Sequence, residues 1–183
     1  MLEAPPEVEA MLAERHRFGL DGRDEMWGGV LHMVPPAGGP HQRLGTRFVM
    51  TVGPLAERRG LVPHVETGLF RTSDDYRVPD QLYCRPEHLS DRGVEGAELV
   101  VEVRSERDET YDKIPWYAQM GVQEMLVVHP HDRRVELLRA LGGQLVPVQA
   151  GADGELVSEV LGITLRTVDG KLEITWDDGS ATI

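Results

Sequence analysis

The sequence predicts an α/β protein, a mixed β-sheet flanked by helices, and three observations carry that expectation. Apolar residues recur at helical steps in two segments ahead of Gly60. From Leu61 onward the period shifts to two, and one further helical segment, near Trp116, interrupts the strands. The predicted order is therefore helix, strand, helix, several strands, helix, strands.

Each element follows from its residues. Pro5 to Phe18 is expected to be helical, with Val8, Met11, Leu12 and Arg15 at helical spacing behind a proline pair. In Met26 to Val34, Trp27, Gly29, Leu31 and Met33 alternate with other residues, which predicts a strand. Pro35 to Pro40 is a loop, because its prolines and glycines break both ladders. His41 to Arg59 reads as an amphipathic helix through Leu44, Phe48, Val52 and Leu55, with Gly60 placed as a C-terminal cap. Val62–Phe70 and Arg77–Cys84 are predicted strands on either side of a turn at Ser73-Asp74-Asp75. Ala97 to Arg104 is rich in β-branched residues and predicts another. Asp108 to Met120 is expected to be helical and to stop at Gly121. Glu124 to Val128 is a short apolar strand, His129 to Asp132 a turn, and Arg133 to Arg139 its partner strand. Beyond Gly142, the pairs Gly142-Gly143, Asp153-Gly154 and Asp169-Gly170 predict hairpins.

The 183 residues suit a single domain, 1–183, with a motif core at about 23–135 and a β-rich extension at 142–183. Hydrophobic residues make up 40% and charged residues 27%, a globular balance that excludes disorder as the default. The single cysteine, Cys84, allows neither an intramolecular disulfide nor a thiolate zinc cluster. No apolar run approaches the roughly 18–20 residues that span a bilayer, and the opening residues are acidic and proline-bearing, so a cytoplasmic location without a membrane partner is expected. The net charge of −12 argues against general electrostatic attraction to DNA, so a nucleic-acid role needs a local basic patch, a bound cation, or both.

Three residues stand out. Asp80 is expected on a strand face with Val78, Leu82 and Cys84, where an unpaired carboxylate needs a cation, a donor or a proton. Glu102 shares a face with Glu98, Val100 and Arg104, opposite Leu99, Val101 and Val103; alone, it is equally explained by a surface Glu–Arg pair. Lys113 begins the following helix, with Tyr117 and Met120 on the same face, and the first turn is a poor place for a cation without a specific partner. A Pro-Asp on one strand, a Glu on a later strand and a Lys just beyond form a constellation suited to phosphodiester hydrolysis. Such hydrolysis uses a hard divalent cation on carboxylate oxygens and a lysine beside the attacking water.

With those residues in order, the chain resembles the restriction-endonuclease-like superfamily, whose signature is Pro-Asp…(Asp/Glu)-x-Lys, and within it the Uma-two family of bacterial endonucleases. The resemblance runs from about Arg23 to Val135 and rests on Asp24–Met33, Pro40-His41-Gln42, Arg77-Val78-Pro79-Asp80, Ala97–Ser105, and Asp112–Ala118 followed by Gly121–Glu124. It implies Asp80 and Glu102 as ligands for Mg²⁺ or Mn²⁺, Lys113 as the catalytic lysine, and Glu25 and His41 as supporting members of the catalytic set. DNA is the implied substrate, and a homodimer is an allowed assembly. Two departures stand out. Arg104 occupies the superfamily's usual lysine position, where an arginine hardly deprotonates but can clamp phosphate. Met125-Leu126 and His129 replace an aromatic and an aspartate.

Rival constellations are weaker. His129 and His131 form a His-x-His pair in a turn without an evident third ligand. The Pro35–Pro40 loop lacks a P-loop lysine, and Ser105 has no glycine elbow. Arg15-His16-Arg17, Arg58-Arg59 and Arg133-Arg134 are small basic clusters of the solvated kind. The expected activity is a metal-dependent endodeoxyribonuclease. Its rivals are a catalytically silent module of the same fold that binds nucleic acid or a protein partner, and a hydrolase of small phosphorylated substrates.

Overall fold

The computed structural model describes residues 5–105 and 108–183, so the reading of the first four residues lies outside it. Its helices are α1 (Pro6–Arg17), α2 (Gly39–Arg58) and α3 (Ile114–Gln119), the last entered through a 3₁₀ turn at Thr110–Lys113. None of these helices is long and apolar enough to cross a membrane. The strands, in chain order, are β1 (Glu25–Trp27), β2 (Val30–His32), β3 (Val62–Val65), β4 (Leu69–Thr72), β5 (Asp75–Arg77), β6 (Gln81–Cys84), β7 (Leu89–Ser90), β8 (Gly93–Val94), β9 (Leu99–Val103), β10 (Glu124–Val128), β11 (Val135–Leu141), β12 (Gln144–Pro147), β13 (Leu156–Ser158), β14 (Ile163–Val168), β15 (Lys171–Trp176) and β16 (Gly179–Thr182).

The central sheet has the order β12-β11-β10-β9-β6-β3. Only β9 and β10 are parallel within it, and their crossover runs through the 3₁₀ turn and α3, as a parallel pair requires. Period-two alternation divides β9 between two cores. Leu99, Val101 and Val103 pack with Leu44, Phe48 and Val52 of α2 and with Leu165, Leu172 and Ile174 of the C-terminal sheet, β13-β14-β15-β16. Val100 packs on the opposite face with Leu82, Met125, Trp116 and Tyr117. The strict burial of all five β9 residues follows from its central place, and it removes the surface-strand explanation of Glu102. A third sheet, β2-β1-β5-β4-β8-β7, flanks the site.

Several expected boundaries shift for local reasons. The segment Met26–Val34 is a hairpin rather than one strand, because Gly28 and Gly29 at φ +57° and +87° make a tight turn. Val62–Phe70 splits between two sheets at Glu66, whose φ is +48°. Asp80 lies just before β6 rather than within a strand beginning at Arg77. Gly142-Gly143 and Asp169-Gly170 do turn hairpins, whereas Asp153-Gly154 lies in the link from β12 to β13, which belong to different sheets. A hairpin at Asp177-Asp178 joins β15 to β16 without any glycine at its tip to announce it.

Candidate active site

Four elements bring the charged residues together. The β6–β9 register pairs Gln81 with Val101, and one step beyond that rung stand Asp80 and Glu102. Asp80 is fixed by the backbone of the neighbouring strand, since the Val103 N–H donates to its Oδ2 at 2.8 Å. Its Oδ1 accepts from Arg23 at 2.8 Å, and the His41 Nε2 lies 3.2 Å from Oδ2. Asp80 therefore meets the requirement that a buried carboxylate find partners.

Glu102 is 4% exposed and leans on the crossover. Lys113 Nζ donates to its Oε1 at 3.1 Å, and the Tyr117 hydroxyl donates to the same oxygen at 2.6 Å. The Lys113–Tyr117 spacing puts both donors on one side of the crossover. Glu102 Oε2 has no hydrogen bond among the described residues, and Glu102 lines a cavity of about 510 Å³ shared with Asp80, Lys113, Glu25, His41 and Arg23. Burial, reinforced by the nearby Asp80 and Glu25, pushes the Glu102 carboxyl up to about 7 despite the opposing pull of Lys113 and Tyr117. A carboxylate short of compensating charge is what a cation or a proton would relieve.

Glu25 holds a different position. Its Oε1 accepts from Lys113 Nζ and from the Val78 N–H, at 2.8 and 2.9 Å, and its Oε2 from the Trp27 indole at 2.7 Å. With three donors on two oxygens, Glu25 anchors Lys113 and joins β1 to the site. Burial acts to lower the Lys113 pKa, but Glu102 and Glu25 together hold it above the ordinary lysine value. Lys113 is thus an ammonium at neutral pH. His41 is raised as well: burial opposes its charge, while the hydrogen bond and field of Asp80 outweigh it.

The sequence expectation named Asp80, Glu102, Lys113, Glu25 and His41, and the fold gathers all five around one cavity. It missed Arg23, which bridges Asp80 and Glu66 at 2.8 and 3.4 Å. Nothing in its local pattern marks it. Tyr117 carried a signal, its i+4 relation to Lys113. Behind the site, Arg77 sits between the rings of Trp27 and Trp116, 4.3 and 4.6 Å from their centroids, and gives β1 and α3 a rigid backing.

Whether these residues suit a metal depends on the donor set. Among the described residues no three His, Cys, Asp or Glu side chains form a ready-made chelate. Two adjacent carboxylates, one with an uncommitted oxygen, opening on a cavity roomy enough for water, instead suit a hard cation that keeps much of its hydration, in the manner of Mg²⁺. They do not suit zinc, which takes three or four protein ligands.

Comparison with solved structures gives a TM-score of 0.60 to a putative nuclease belonging to DUF820 from Anabaena variabilis ATCC 29413, at 15% identity, covering 75% of this chain and 82% of that one. At that identity the likeness speaks for the α/β fold alone. Comparison with curated proteins gives no match. A family model described as "Putative restriction endonuclease" matches residues 6–169, a span that takes in α1 and most of the C-terminal strands outside the motif core. On that match the chain belongs to the Uma2 (Uma-two) family of restriction-endonuclease-like proteins.

Proposed function

We propose that the protein is a metal-dependent DNA endonuclease that hydrolyses phosphodiester bonds at the cavity formed by Asp80, Glu102 and Lys113. The observation that carries this reading is the convergence of two buried carboxylates and a buried ammonium from three separate elements on one solvent-open cavity. Asp80 and Glu102 would hold Mg²⁺ or Mn²⁺, with water completing the shell. When bound, the ion supplies charge stabilisation at the phosphate and lowers the pKa of a bound water.

The chain's own residues divide the remaining work. Lys113, held as an ammonium between Glu25 and Glu102, donates a hydrogen bond to the attacking water or to a non-bridging phosphate oxygen. Its place between two carboxylates suits it to orient that water and to offset charge on the phosphate. Glu25 fixes where the Nζ points. Tyr117 donates to Oε1 of Glu102 and leaves Oε2 for a cation. His41, charged more readily beside Asp80, stands at the cavity wall, where it can donate to a phosphate oxygen. Arg23 bonds Asp80 Oδ1 and would share that oxygen with a bound cation.

The test is cleavage of supercoiled plasmid and single-stranded DNA with Mg²⁺ or Mn²⁺ by wild type, Asp80→Ala and Lys113→Ala. Metal-dependent nicking that both substitutions abolish is the expected result. Equal activity in all three would reveal a contaminant. A second reading, a non-catalytic module of the same fold, draws support from the full occupation of both Asp80 oxygens. DNA binding that persists in EDTA, with no cleavage under any metal, would favour it.

A further inference from the structure

Next to the candidate catalytic cavity lies a second one of about 680 Å³, whose wall includes Arg104, Ser105, His129 and His131. The two cavities share Gly38, His41 and Ser105, so they adjoin. Arg104 follows the end of β9, two residues beyond Glu102. Its guanidinium lies over the Tyr111 ring, 4.7 Å from the centroid, and its Nε is buried without a hydrogen bond among the described residues.

Its ion-pair partner among those residues, Asp108, does not hydrogen-bond it. Asp108 Oδ1 is 3.7 Å from Arg104 Nε, and the two Asp108 oxygens accept from the backbone N–H groups of Ser105 and Thr110. Asp132, on the same wall, likewise accepts from the Arg134 N–H at 3.0 Å. His129 is engaged by Glu136 and Arg134, whereas His131 is exposed on the wall. A permanently charged fork, set over an aromatic ring and paired among the described residues only with a carboxylate 3.7 Å away, can take an oxyanion acceptor.

We infer that Arg104 binds a second phosphodiester of the nucleic-acid strand, one adjacent to the phosphate that sits over Asp80 and Glu102. The strand then runs from the catalytic cavity past His41 into the second cavity, with His131 as an additional donor. The inference rests on the nuclease reading for its substrate class. It also gives a chain of net charge −12 a local positive grip where the substrate lies. The position at which the superfamily usually carries its lysine thereby serves binding, while Lys113 serves the scissile phosphate.

The test is fluorescence anisotropy with a short labelled DNA, single-stranded and duplex, at several salt concentrations, for wild type, Arg104→Gln and Arg104→Lys. Thermal melting runs alongside to confirm that each variant is folded. Arg104→Gln is expected to weaken binding roughly tenfold and to make the salt dependence shallower by about one phosphate contact. Arg104→Lys should restore the salt slope but not the full affinity, because an ammonium lacks the fork. In cleavage assays KM rises and kcat holds.

Unchanged affinity and salt slope in Arg104→Gln would overturn the inference while leaving the nuclease reading intact. Binding lost in Arg104→Gln by a protein that never cleaves would sink the nuclease reading and leave the phosphate site standing. A wild type that binds no DNA overturns both.

Discussion

Glu102 and Glu124 occupy neighbouring central strands, both almost wholly buried, at opposite ends and on opposite faces of the β9–β10 pair. Glu124 is surrounded by donors: Arg139 at 2.8 Å, the Ser158 hydroxyl, and the backbone N–H groups of Glu159 and Val160. Both of its oxygens are committed, and they tie β10 to the link entering the C-terminal sheet. Glu102, which lines a cavity, has two donors among the described residues, both on one oxygen. Equal burial thus serves two purposes. A carboxylate saturated by fixed donors is a structural joint, and one left short of charge is a place for chemistry.

That contrast can be broken by exchanging which property each residue controls. The largest effect is expected for Glu124→Ala, which leaves Arg139 without its buried partner and strips Ser158 of its acceptor; a loss of about 3–5 kcal/mol should appear in urea denaturation. Stability close to wild type would deny Glu124 its structural part. Glu102→Gln is expected to do the reverse, cutting nicking by about 10²–10³-fold while leaving the fold intact. If the variant unfolds instead, Glu102 belongs with Glu124.

A pH series sharpens the same point. Folding raises the Glu102 carboxyl from its ordinary 4.5 to about 7, so between those values the folded state binds the proton that the unfolded chain has released. This contribution to stability is fully present below about 4.5 and is lost as pH rises through about 7, in metal-free buffer. The difference between wild type and Glu102→Gln should therefore widen across that window, by at most about 1.4 kcal/mol per pH unit. A flat difference would mean that Glu102 is already compensated. Smallest is Tyr117→Phe, which removes one donor to a buried carboxylate and should cost about 1–2 kcal/mol of stability, with a several-fold fall in nicking. No change in either would place the hydroxyl outside the site.

The sequence exposed most of this because its signals are local. The strand Glu124–Val128 was legible to the residue, and β9 nearly so, since runs of buried β-branched residues leave little choice. Hairpins turned by residue pairs at positive φ were legible for Gly142-Gly143 and Asp169-Gly170. What escaped depended on distant partners. Glu66 gives no sign that it will break a strand, and Asp153-Gly154 does not reveal that its flanks belong to different sheets. In the site, Lys113 was singled out by its order after Glu102, whereas Tyr117 was placed on the same face as Lys113 without being named a site residue. Arg23 has no such marker, because its meaning comes only from Asp80, 57 positions away. The saturation that distinguishes Glu124 from Glu102 likewise depends on Arg139 and Ser158, and no pattern around residue 124 announces either.

The hydrogen bond between Lys113 and Glu25 spans 88 positions of the chain. Before Lys113 has been synthesised and packed, the growing polypeptide carries both acidic partners but none of the geometry. A polypeptide cut short in the crossover would lack the site altogether. Because loop closure of that length is achieved only together with the surrounding core, the cavity comes into being with the completed fold rather than ahead of it. The order of synthesis therefore also sets the order of assembly: every fragment that ends before residue 113 carries the carboxylates without the ammonium that holds them.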